Sequence, residues 1–519
     1  MYAKIRGTVL HGVDAFPVTV EVNVAMGIGY FITGQPDDSV RECLSRIEVA
    51  IKSMGLRMPR EKLSVNLSPA HVRKTGAGFD LPIAMGILLA SGQIEDRGQL
   101  EDYILAGELG LDGRIYPVPG ALCIAYQAAK EQIRGLILPA ANAGEAALLK
   151  GIEVYGVAHL RELLDFVRKG KPLQRVAPAM DSVSRDVDEG LPDFRDVRGQ
   201  IRVKRALEIA AAGGHNTLLV GPPGVGKSML AKRLPSILPP MTASEVLETT
   251  RIYSVAGNGE PLQGLVTARP FRNPHHTASD VALAGGGSLP LPGEISLAHN
   301  GVLFLDELYE FKRSAIEVLR QPLEEGKVRI ARAKMSLEYP ASFMLVAAMN
   351  PCYCGYYGHP TRRCTCSKKA LEYYRRKASG PLLERIDLHV EAESLPVREL
   401  MQSAGNQEAS AVIRQRVILA REMQSRRYQG LYGVHCNAQM PEQDLDRFCP
   451  IESHARKFLF QKIDELQLSA RSYSRILKLS RTIADLAGSA TIELEQVAEA
   501  VHFRCWDRPV EGKKNKMSE

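Results

Sequence analysis

The residues Gly221-Pro222-Pro223-Gly224-Val225-Gly226-Lys227-Ser228 follow the pattern Gly-x4-Gly-Lys-Ser of a phosphate-binding loop, or P-loop. The apolar run Asn216–Val220 before them predicts a buried strand, and the apolar spacing over Lys227–Leu238 predicts a helix after them. Strand, glycine loop and helix start form an anion cradle, because backbone N–H groups point at the phosphates. We expect Lys227 to reach the terminal phosphates of ATP and Ser228 to ligate Mg²⁺. The stretch therefore predicts an α/β domain that binds ATP.

Two further apolar strands are predicted to end in polar residues. Gly301–Glu307 resembles a Walker B strand, with Asp306 in the magnesium shell and Glu307 as the general base that polarises the attacking water. Ser342–Met349 is followed by Asn350, which resembles a sensor 1 residue facing the γ-phosphate. Since ligands of open parallel sheets bind beyond the carboxyl ends of the strands, these side chains are expected to meet at the P-loop.

Arginines in the second half of the chain are candidates for contacts with nucleotide. Arg385, in the segment Ser379–Val390, resembles an arginine finger that a neighbouring subunit supplies, with an ion pair to Asp387 or Glu384 as the structural alternative. Arg471, near the start of an amphipathic helix, resembles sensor 2, which contacts the nucleotide from a helical lid, and Arg475 one turn later is the competing choice.

Length and composition indicate a multidomain globular protein. The 519 residues are 45% hydrophobic and 24% charged. The N-terminus lacks the apolar core of a signal peptide and no apolar run is long enough to span a bilayer, so we expect a cytoplasmic protein without a membrane partner. The predicted division is an N-terminal α/β domain, a linker, an ATPase core, a mostly helical lid and a basic tail: 1–170, 171–193, 194–395, 396–507 and 508–519.

A cysteine-rich segment follows the predicted sensor 1 residue. Four of the nine cysteines fall in the pattern Cys-x-Cys-x9-Cys-x-Cys: Cys352, Cys354, Cys364 and Cys366. Four thiolates are enough for a tetrahedral structural zinc site, although Cys-x-Cys is tighter than the usual knuckle. Buried or redox-active thiols, and a site in which His359 takes part, are the alternatives.

Basic residues are concentrated rather than spread. The net charge is +7, and basic residues cluster within 362–377 and 414–427, which indicates either a polyanion-binding surface or a solvated helix face together with arginines at subunit contacts. Lys327–Pro340 alternates apolar and basic residues and predicts a hairpin. Arg332 and Lys334 are its candidate DNA phosphate contacts, with an exposed hairpin of solvated charges as the alternative.

These motifs, over residues 190–507, resemble an AAA+ ATPase of the magnesium chelatase and MCM-like branch. Four segments resemble the bacterial ComM/YifB family more closely: Phe271–Ser279, Gly293–Gly301, Leu319–Gly326 and Asn350–Gly355. The resemblance implies a parallel-sheet P-loop core with a C-terminal helical lid. It also implies a hexameric ring helicase that promotes branch migration of single-stranded or branched DNA in recombination and natural transformation, with the predicted hairpin pointing into the channel.

The N-terminal domain carries a second resemblance. Lys74–Asp80 and Gly107–Gly120 are similar to two stretches of a Lon-type protease domain, a ribosomal S5 domain 2-like fold. Such a protease needs a serine activated by a lysine, yet these positions align with Gly78 and Leu122. The resemblance therefore implies a degenerate, non-proteolytic domain used for assembly or DNA contact.

Three functions remain open from the sequence. The first is a DNA motor driven by ATP hydrolysis between subunits. The second is an ATPase of the same design that remodels a protein or serves as a magnesium-chelatase-like subunit. The third is a nucleotide-gated scaffold without significant hydrolysis, against which the predicted base Glu307 argues.

Overall fold

The computed structural model describes residues 1–95, 98–177, 190–257, 262, 264–287, 290–332, 335–378, 382–394, 407–431 and 433–504. Most of the predicted linker, 178–189, lies outside these residues, as does the predicted basic tail. Among the described helices, none has the length and apolar character needed to cross a membrane.

The N-terminal part is built on a seven-stranded mixed sheet in the order β3-β4-β2-β1-β5-β8-β9. Its strands, with the small β6-β7 hairpin, are β1 (Tyr2–His11), β2 (Asp14–Ala25), β3 (Tyr30–Thr33), β4 (Lys62–Ser68), β5 (Tyr103–Leu105), β6 (Glu108–Leu109), β7 (Ile115–Tyr116), β8 (Gly135–Pro139) and β9 (Glu153–Val157). Its helices are α1 (Asp38–Ser53), α2 (Asp80–Ala90), α3 (Ala121–Lys130), α4 (Ala140–Ala146) and α5 (Leu160–Lys169).

Alternation of apolar and polar residues sets the two faces of this sheet. Val18, Val20 and Val22 of β2 are buried, whereas Thr19 and Glu21 between them are only partly covered. Helix α2 is buried along nearly its whole length because it packs between the sheet and α1, which explains its uniformly apolar sequence. The α/β character predicted for this part is confirmed.

The second part is built on a five-stranded parallel sheet in the order β11-β14-β17-β10-β18. Its strands, with two small hairpins, are β10 (Thr217–Val220), β11 (Phe271–Arg272), β12 (Gly285–Gly286), β13 (Leu291–Pro292), β14 (Val302–Leu305), β15 (Lys327–Arg332), β16 (Met335–Pro340), β17 (Met344–Met349) and β18 (Leu388–Glu391). Its helices are α6 (Ile201–Gly213), α7 (Lys227–Ala231), α8 (Ala243–Ala256), α9 (Asp280–Ala284), α10 (Glu294–Leu297), α11 (Arg313–Glu317), α12 (Arg320–Glu325) and α13 (Lys368–Ala378).

Burial explains why the central strands of the second sheet are apolar without alternation. Every residue of β10, β14 and β17 is buried, because apolar clusters cover both faces of the sheet. The predicted parallel-sheet core is therefore confirmed, and the P-loop follows the end of β10, the strand between β17 and β18.

The C-terminal part of the described chain is helical: α14 (Ser410–Arg427), α15 (Leu445–Phe448), α16 (Ser453–Leu466), α17 (Ala470–Leu486) and α18 (Leu494–His502). Helices α14 and α17 pack against α6. A buried polar cluster holds them together, in which Asp485 accepts from Arg427, Arg481 and Asn437. Much of the basic cluster 414–427 is used inside the chain, since Arg416 pairs with Glu208 and Glu408, which favours the structural interpretation of that cluster.

The N-terminal part docks on helix α8 of the second part. Glu145 of α4 is 2% exposed and accepts hydrogen bonds from the Ser254 hydroxyl, the Leu122 N–H (3.2 Å) and the Leu262 N–H (3.3 Å). Burial raises the pKa of Glu145, and these three donors oppose the shift. Beside it, Arg251 donates to the carbonyl oxygen of Val13 (2.7 Å).

Candidate active site

The P-loop forms a tight turn around the side chain of Lys227. Gly224 and Gly226 have φ of +81° and +91°, values that favour glycine, and α7 begins directly after them. Lys227 is 9% exposed, and its Nζ donates to the carbonyl oxygens of Gly221 (2.7 Å) and Pro222 (2.9 Å). Burial lowers the pKa of Lys227, and the charges of Asp306 and Glu307 oppose this.

The two carboxylates after β14 lie at the same sheet edge as the P-loop. The Ser228 hydroxyl donates to Asp306 Oδ2 at 2.5 Å, so two oxygen ligands suited to Mg²⁺ stand side by side. Glu307 adopts the left-handed region with φ of +51°, and its side chain is 59% exposed. His276 Nδ1 lies 3.8 Å from the Glu307 carboxylate, and the ring of His276 packs against that of His275.

Asn350 completes the group at this edge. It follows β17, which lies between β14 and β10, and its Oδ1 accepts from Lys227 Nζ at 3.2 Å. The structure thus brings together Lys227, Ser228, Asp306 and Asn350, with Glu307 adjacent in the chain. Oxygen ligands, a buried cation and the backbone N–H groups of a glycine loop are the components that a triphosphate site requires.

Arg385 lies at the other end of the same sheet. It belongs to the turn Leu383–Arg385 before β18, and β18 runs parallel to β10 with Leu388 opposite Thr217, the first residue of β10. Arg385 is 9% exposed and forms an ion pair with Glu324 of α12, not with Asp387 or Glu384 as the structural alternative expected. Arg385 therefore lies at the edge of the sheet that the amino-terminal ends of the strands form, whereas the P-loop lies at the edge that their carboxyl-terminal ends form.

Arg471 and Arg475 also lie at this amino-terminal edge. Arg471 is exposed and its guanidinium is 3.4 Å from the carboxylate of Glu384, next to Arg385. Arg471 therefore lies beside the amino-terminal ends of the strands, whereas the P-loop of the same chain lies at their carboxyl ends. Arg475 pairs with the buried carboxylate of Asp387 and donates to the carbonyl of Arg385 (3.0 Å), which gives it a structural role.

Asp387 is the centre of a network that the sequence did not reveal. Besides Arg475, its carboxylate faces His215 Nδ1 (3.4 Å) and accepts from the Asn216 N–H (3.0 Å). Burial alone would raise the pKa of Asp387, yet these partners hold it below its usual range. An acidic residue two positions after the candidate finger was the available signal in the sequence, but the partners of Asp387 come from the residues just before β10 and from α17, both distant in sequence.

The hairpin predicted over Lys327–Pro340 is confirmed as the antiparallel strands β15 and β16. Lys327 lies opposite Pro340 at the open end, and Arg332 lies opposite Met335 at the turn. Arg329 within it pairs with Glu338 at 2.6 Å. The side chain of Arg332 and the whole of Lys334 lie outside the described residues.

The four cysteines of the predicted metal site converge. Their ligand sulfurs all lie within 4.8 Å of one another, and all four are free thiols. The Sγ of Cys352 is 3.3 Å from that of Cys354 and 3.7 Å from that of Cys364. Sulfurs around a tetrahedral zinc at about 2.3 Å stand about 3.8 Å apart, so the residues fit Zn²⁺.

Family profiles match three stretches of the chain. "Magnesium chelatase, subunit ChlI" matches residues 193–400, "Subunit ChlI of Mg-chelatase" matches 20–142 and "Magnesium chelatase, subunit ChlI C-terminal" matches 407–504. YifB of Escherichia coli (strain K12) is 43% identical over 498 residues, and the competence protein ComM of Haemophilus influenzae is 41% identical over 499; each alignment covers 96% of both chains. The chain belongs to the ComM/YifB family of magnesium-chelatase-like proteins.

Membership in this family confirms the resemblance drawn from the sequence motifs and places the P-loop part among AAA+ ATPases. The family profiles cover part of the first sheet, all of the second sheet and the C-terminal helices. A shorter similarity joins the chain to the DNA repair protein RadA of Escherichia coli (strain K12), which is 33% identical over 110 residues, 21% of this chain and 23% of RadA.

Proposed function

We propose that this ComM/YifB-family protein hydrolyses ATP with Mg²⁺ at the contacts between subunits of a ring. One observation carries the proposal: Lys227, Asp306 and Asn350 meet at one edge of the parallel sheet, while Arg385 and Arg471 stand at the opposite edge. A single chain therefore holds both halves of a phosphoryl-transfer site without joining them. Head-to-tail packing of identical chains would join them, and such packing closes into rings.

Each residue has a distinct part in this proposal. The backbone N–H groups of the loop after Pro223 and the side chain of Lys227 would bind the β- and γ-phosphates, and Ser228 and Asp306 would hold Mg²⁺, which supplies neutralising charge when bound. Glu307 would accept a proton from the attacking water and Asn350 would orient that water or the γ-phosphate. Arg385, with Arg471 beside it, would stabilise the charge that develops on the neighbour's nucleotide.

We propose that the ring is a homohexamer and acts in the cytoplasm on single-stranded or branched DNA, promoting branch migration. The names of two relatives support a role in DNA metabolism, one as a competence protein and one as a DNA repair protein. The hairpin β15–β16 and the exposed Arg362, Arg363, Lys368 and Lys369 offer basic groups for phosphate contacts. Arg332 and Lys334 remain the proposed contacts of the hairpin tip.

A second candidate is a magnesium-chelatase-like ATPase that remodels a protein. The descriptions of the matching family profiles favour it. It uses the same ATP site and differs only in what the ring moves.

We further propose that the N-terminal part is a Lon-like domain without protease activity, followed by a linker at 171–193, and that residues 396–507 form the lid. Gly78 and Leu122, at the positions of the protease's serine and lysine, offer neither nucleophile nor base. We also propose Zn²⁺ as the ligand of the four clustered cysteines.

A strand-exchange assay tests the motor. Purified protein is mixed with ATP, Mg²⁺ and a mobile four-way DNA junction, and we expect exchange products together with DNA-stimulated ATP hydrolysis. Lys227→Ala should abolish both by preventing nucleotide binding, and Glu307→Gln should bind ATP without turnover. If the protein hydrolyses ATP and neither single-stranded nor branched DNA raises the rate, the DNA motor is excluded and the protein-remodelling candidate stands.

Salt dependence of DNA binding tests the hairpin. Arg332→Ala and Lys334→Ala should each weaken binding about equally on all sequences and reduce the salt slope by about 1. Arg329→Ala is the matched control, because Arg329 is paired with Glu338 and should leave the slope unchanged. Equal effects of all three substitutions would contradict the assignment.

A further inference from the structure

The cysteine loop, which we define as residues 352–366, leaves directly from the candidate ATP site. Asn350 and Pro351 connect it to β17, and α13 begins at Lys368, two residues after its last cysteine. Helices and strands are absent from the loop, all of which is described. Because no helix or strand pairing holds the loop closed, its two ends meet at the cysteine sulfurs.

The loop packs on the P-loop itself. Gly355 has φ of +82°, and a β-carbon at this position would come within 2.7 Å of Pro223 Cδ. Pro223 is the third residue of the P-loop. The turn that carries Cys352 and Cys354 is thus in direct contact with the wall of the phosphate cradle, and its close approach requires glycine.

The helix after the loop touches the other two catalytic segments. Tyr374 of α13 is 4% exposed, and its hydroxyl donates to the carbonyl oxygen of Asn350 at 2.8 Å. Its ring packs edge-on against Tyr309, two residues after Glu307, with centroids 4.3 Å apart, and against Tyr353 of the cysteine loop at 4.7 Å. The cysteine loop and α13 therefore contact the P-loop, the sensor 1 residue and the turn that carries the candidate base.

Two backbone N–H groups donate hydrogen bonds to sulfurs of the cysteine cluster. The N–H of Tyr357 donates to Cys352 Sγ (3.3 Å) and the N–H of Cys354 donates to Cys366 Sγ (3.4 Å). Such hydrogen bonds orient thiolates that bind a metal. The second one crosses from one end of the loop to the other, so it fixes the geometry in which a cation would join all four sulfurs.

We infer that the four cysteines bind one Zn²⁺ ion per chain and that this ion braces the ATP site, so that metal occupancy sets the affinity for nucleotide. The metal closes the cysteine loop, the closed loop supports Pro223, and the same unit anchors Tyr374 against Asn350 and Tyr309. Without the metal the ends of the loop are joined by weak contacts between thiols and by the hydrogen bond from the Cys354 N–H to Cys366 Sγ, which gives the P-loop wall and the sensor 1 backbone a weaker common support. The inference rests on the proposed ATP site and adds a metal-dependent control of it.

Metal content and nucleotide affinity of the full chain test the inference separately. Zinc is measured by atomic emission on purified protein, and binding of a fluorescent ATP analogue gives Kd without requiring hydrolysis. We expect one zinc per wild-type chain. Removal by a zinc chelator should raise Kd about ten-fold or more, since small displacements of a positioning segment are costly, and added Zn²⁺ should restore it. This reversal in the wild-type chain decides the question even if a cysteine variant fails to fold.

Four variants separate metal binding from its consequence. Cys364→Ala should lose zinc and weaken nucleotide binding to the same extent as chelation, whereas Cys449→Ala, a buried cysteine of the C-terminal helices, should retain both. Gly355→Ala should keep its zinc and still weaken nucleotide binding, because the new methyl group displaces Pro223. Lys227→Ala should keep zinc and lose nucleotide, so a failure of the proposed ATP site is distinguishable from a failure of the metal site.

Two results would overturn the inference. Metal-free wild-type protein with four reactive thiols in the loop would refute zinc binding. Zinc that can be removed and replaced without change in Kd would refute the brace. A variant His359→Ala that loses zinc would replace the four-sulfur ligand set by one that includes this imidazole.

Discussion

Mixing two inactive variants should restore ATP hydrolysis if the site is shared between chains. Arg385→Ala removes the candidate finger and Lys227→Ala removes the phosphate contact, and each alone should be inactive. In a mixed ring, a chain with an intact P-loop can stand beside a chain with an intact Arg385. Such an interface contains both Lys227 and Arg385, each from a different chain.

The position of Arg385 sets the expected magnitude. Strand β10 separates the two edges, and its four residues at about 3.3 Å each put its ends roughly 10 Å apart. At that distance two unit charges in water interact by about 0.4 kcal/mol before salt screening, which changes a rate about two-fold at most. An arginine in contact with the transferring phosphoryl group contributes about 10³- to 10⁵-fold to kcat. Arg385→Ala should therefore lower kcat by about a thousand-fold or more. An effect of this size requires that Arg385 contact the nucleotide of a neighbouring chain, because it stands too far from the P-loop of its own chain.

Random mixing at equal concentrations predicts the recovered rate. About one quarter of the interfaces would combine an intact P-loop with an intact Arg385, so the mixture should recover about one quarter of the wild-type rate per chain if an arginine finger acts across each interface. The assay is steady-state phosphate release, with pull-down of one tagged variant to verify that mixed assemblies form. Both variants must retain the wild-type assembly size and melting temperature. Mixed assemblies with no gain over the separate variants would refute the shared site.

Three further perturbations follow from buried contacts. Asp387→Asn should lower the free energy of unfolding by about 3 kcal/mol in urea titrations, because the partly buried Arg475 loses its buried counter-charge. The pKa of Asp387 is held below its usual range, so the unfolded chain takes up the proton first as pH falls. Its stabilising contribution should therefore be full at neutral pH and be lost below about pH 4, as melting curves against pH can show. Glu145→Ala should leave the hydrogen-bond donors of Ser254, Leu122 and Leu262 unpaired, which lowers the free energy of unfolding by about 2–5 kcal/mol. Amide hydrogen exchange in α8 should then become faster. Unchanged exchange would contradict the docking role of Glu145.

Local sequence determined much of the ATP site. The glycines of the P-loop, the apolar strands that precede Asp306 and Asn350, and the alternation that predicts the hairpin all encode structure within a few neighbouring residues. Parallel strands then deliver their last residues to one edge, so adjacency of these side chains could be expected without coordinates. The spacing of the four cysteines likewise indicated a compact cluster.

Only the tertiary structure decided which groups lie far from the P-loop and which surround it. Arg385 and Arg471 are separated from Lys227 by the length of a strand, a fact fixed by the parallel pairing of β18 with β10. The partner of Arg385 is Glu324, and the cysteine loop packs on Pro223. Such contacts join segments that are distant in the chain, and they depend on how whole elements pack. Sequence spacing encodes the elements, whereas the geometry between them is set by the burial that they achieve together.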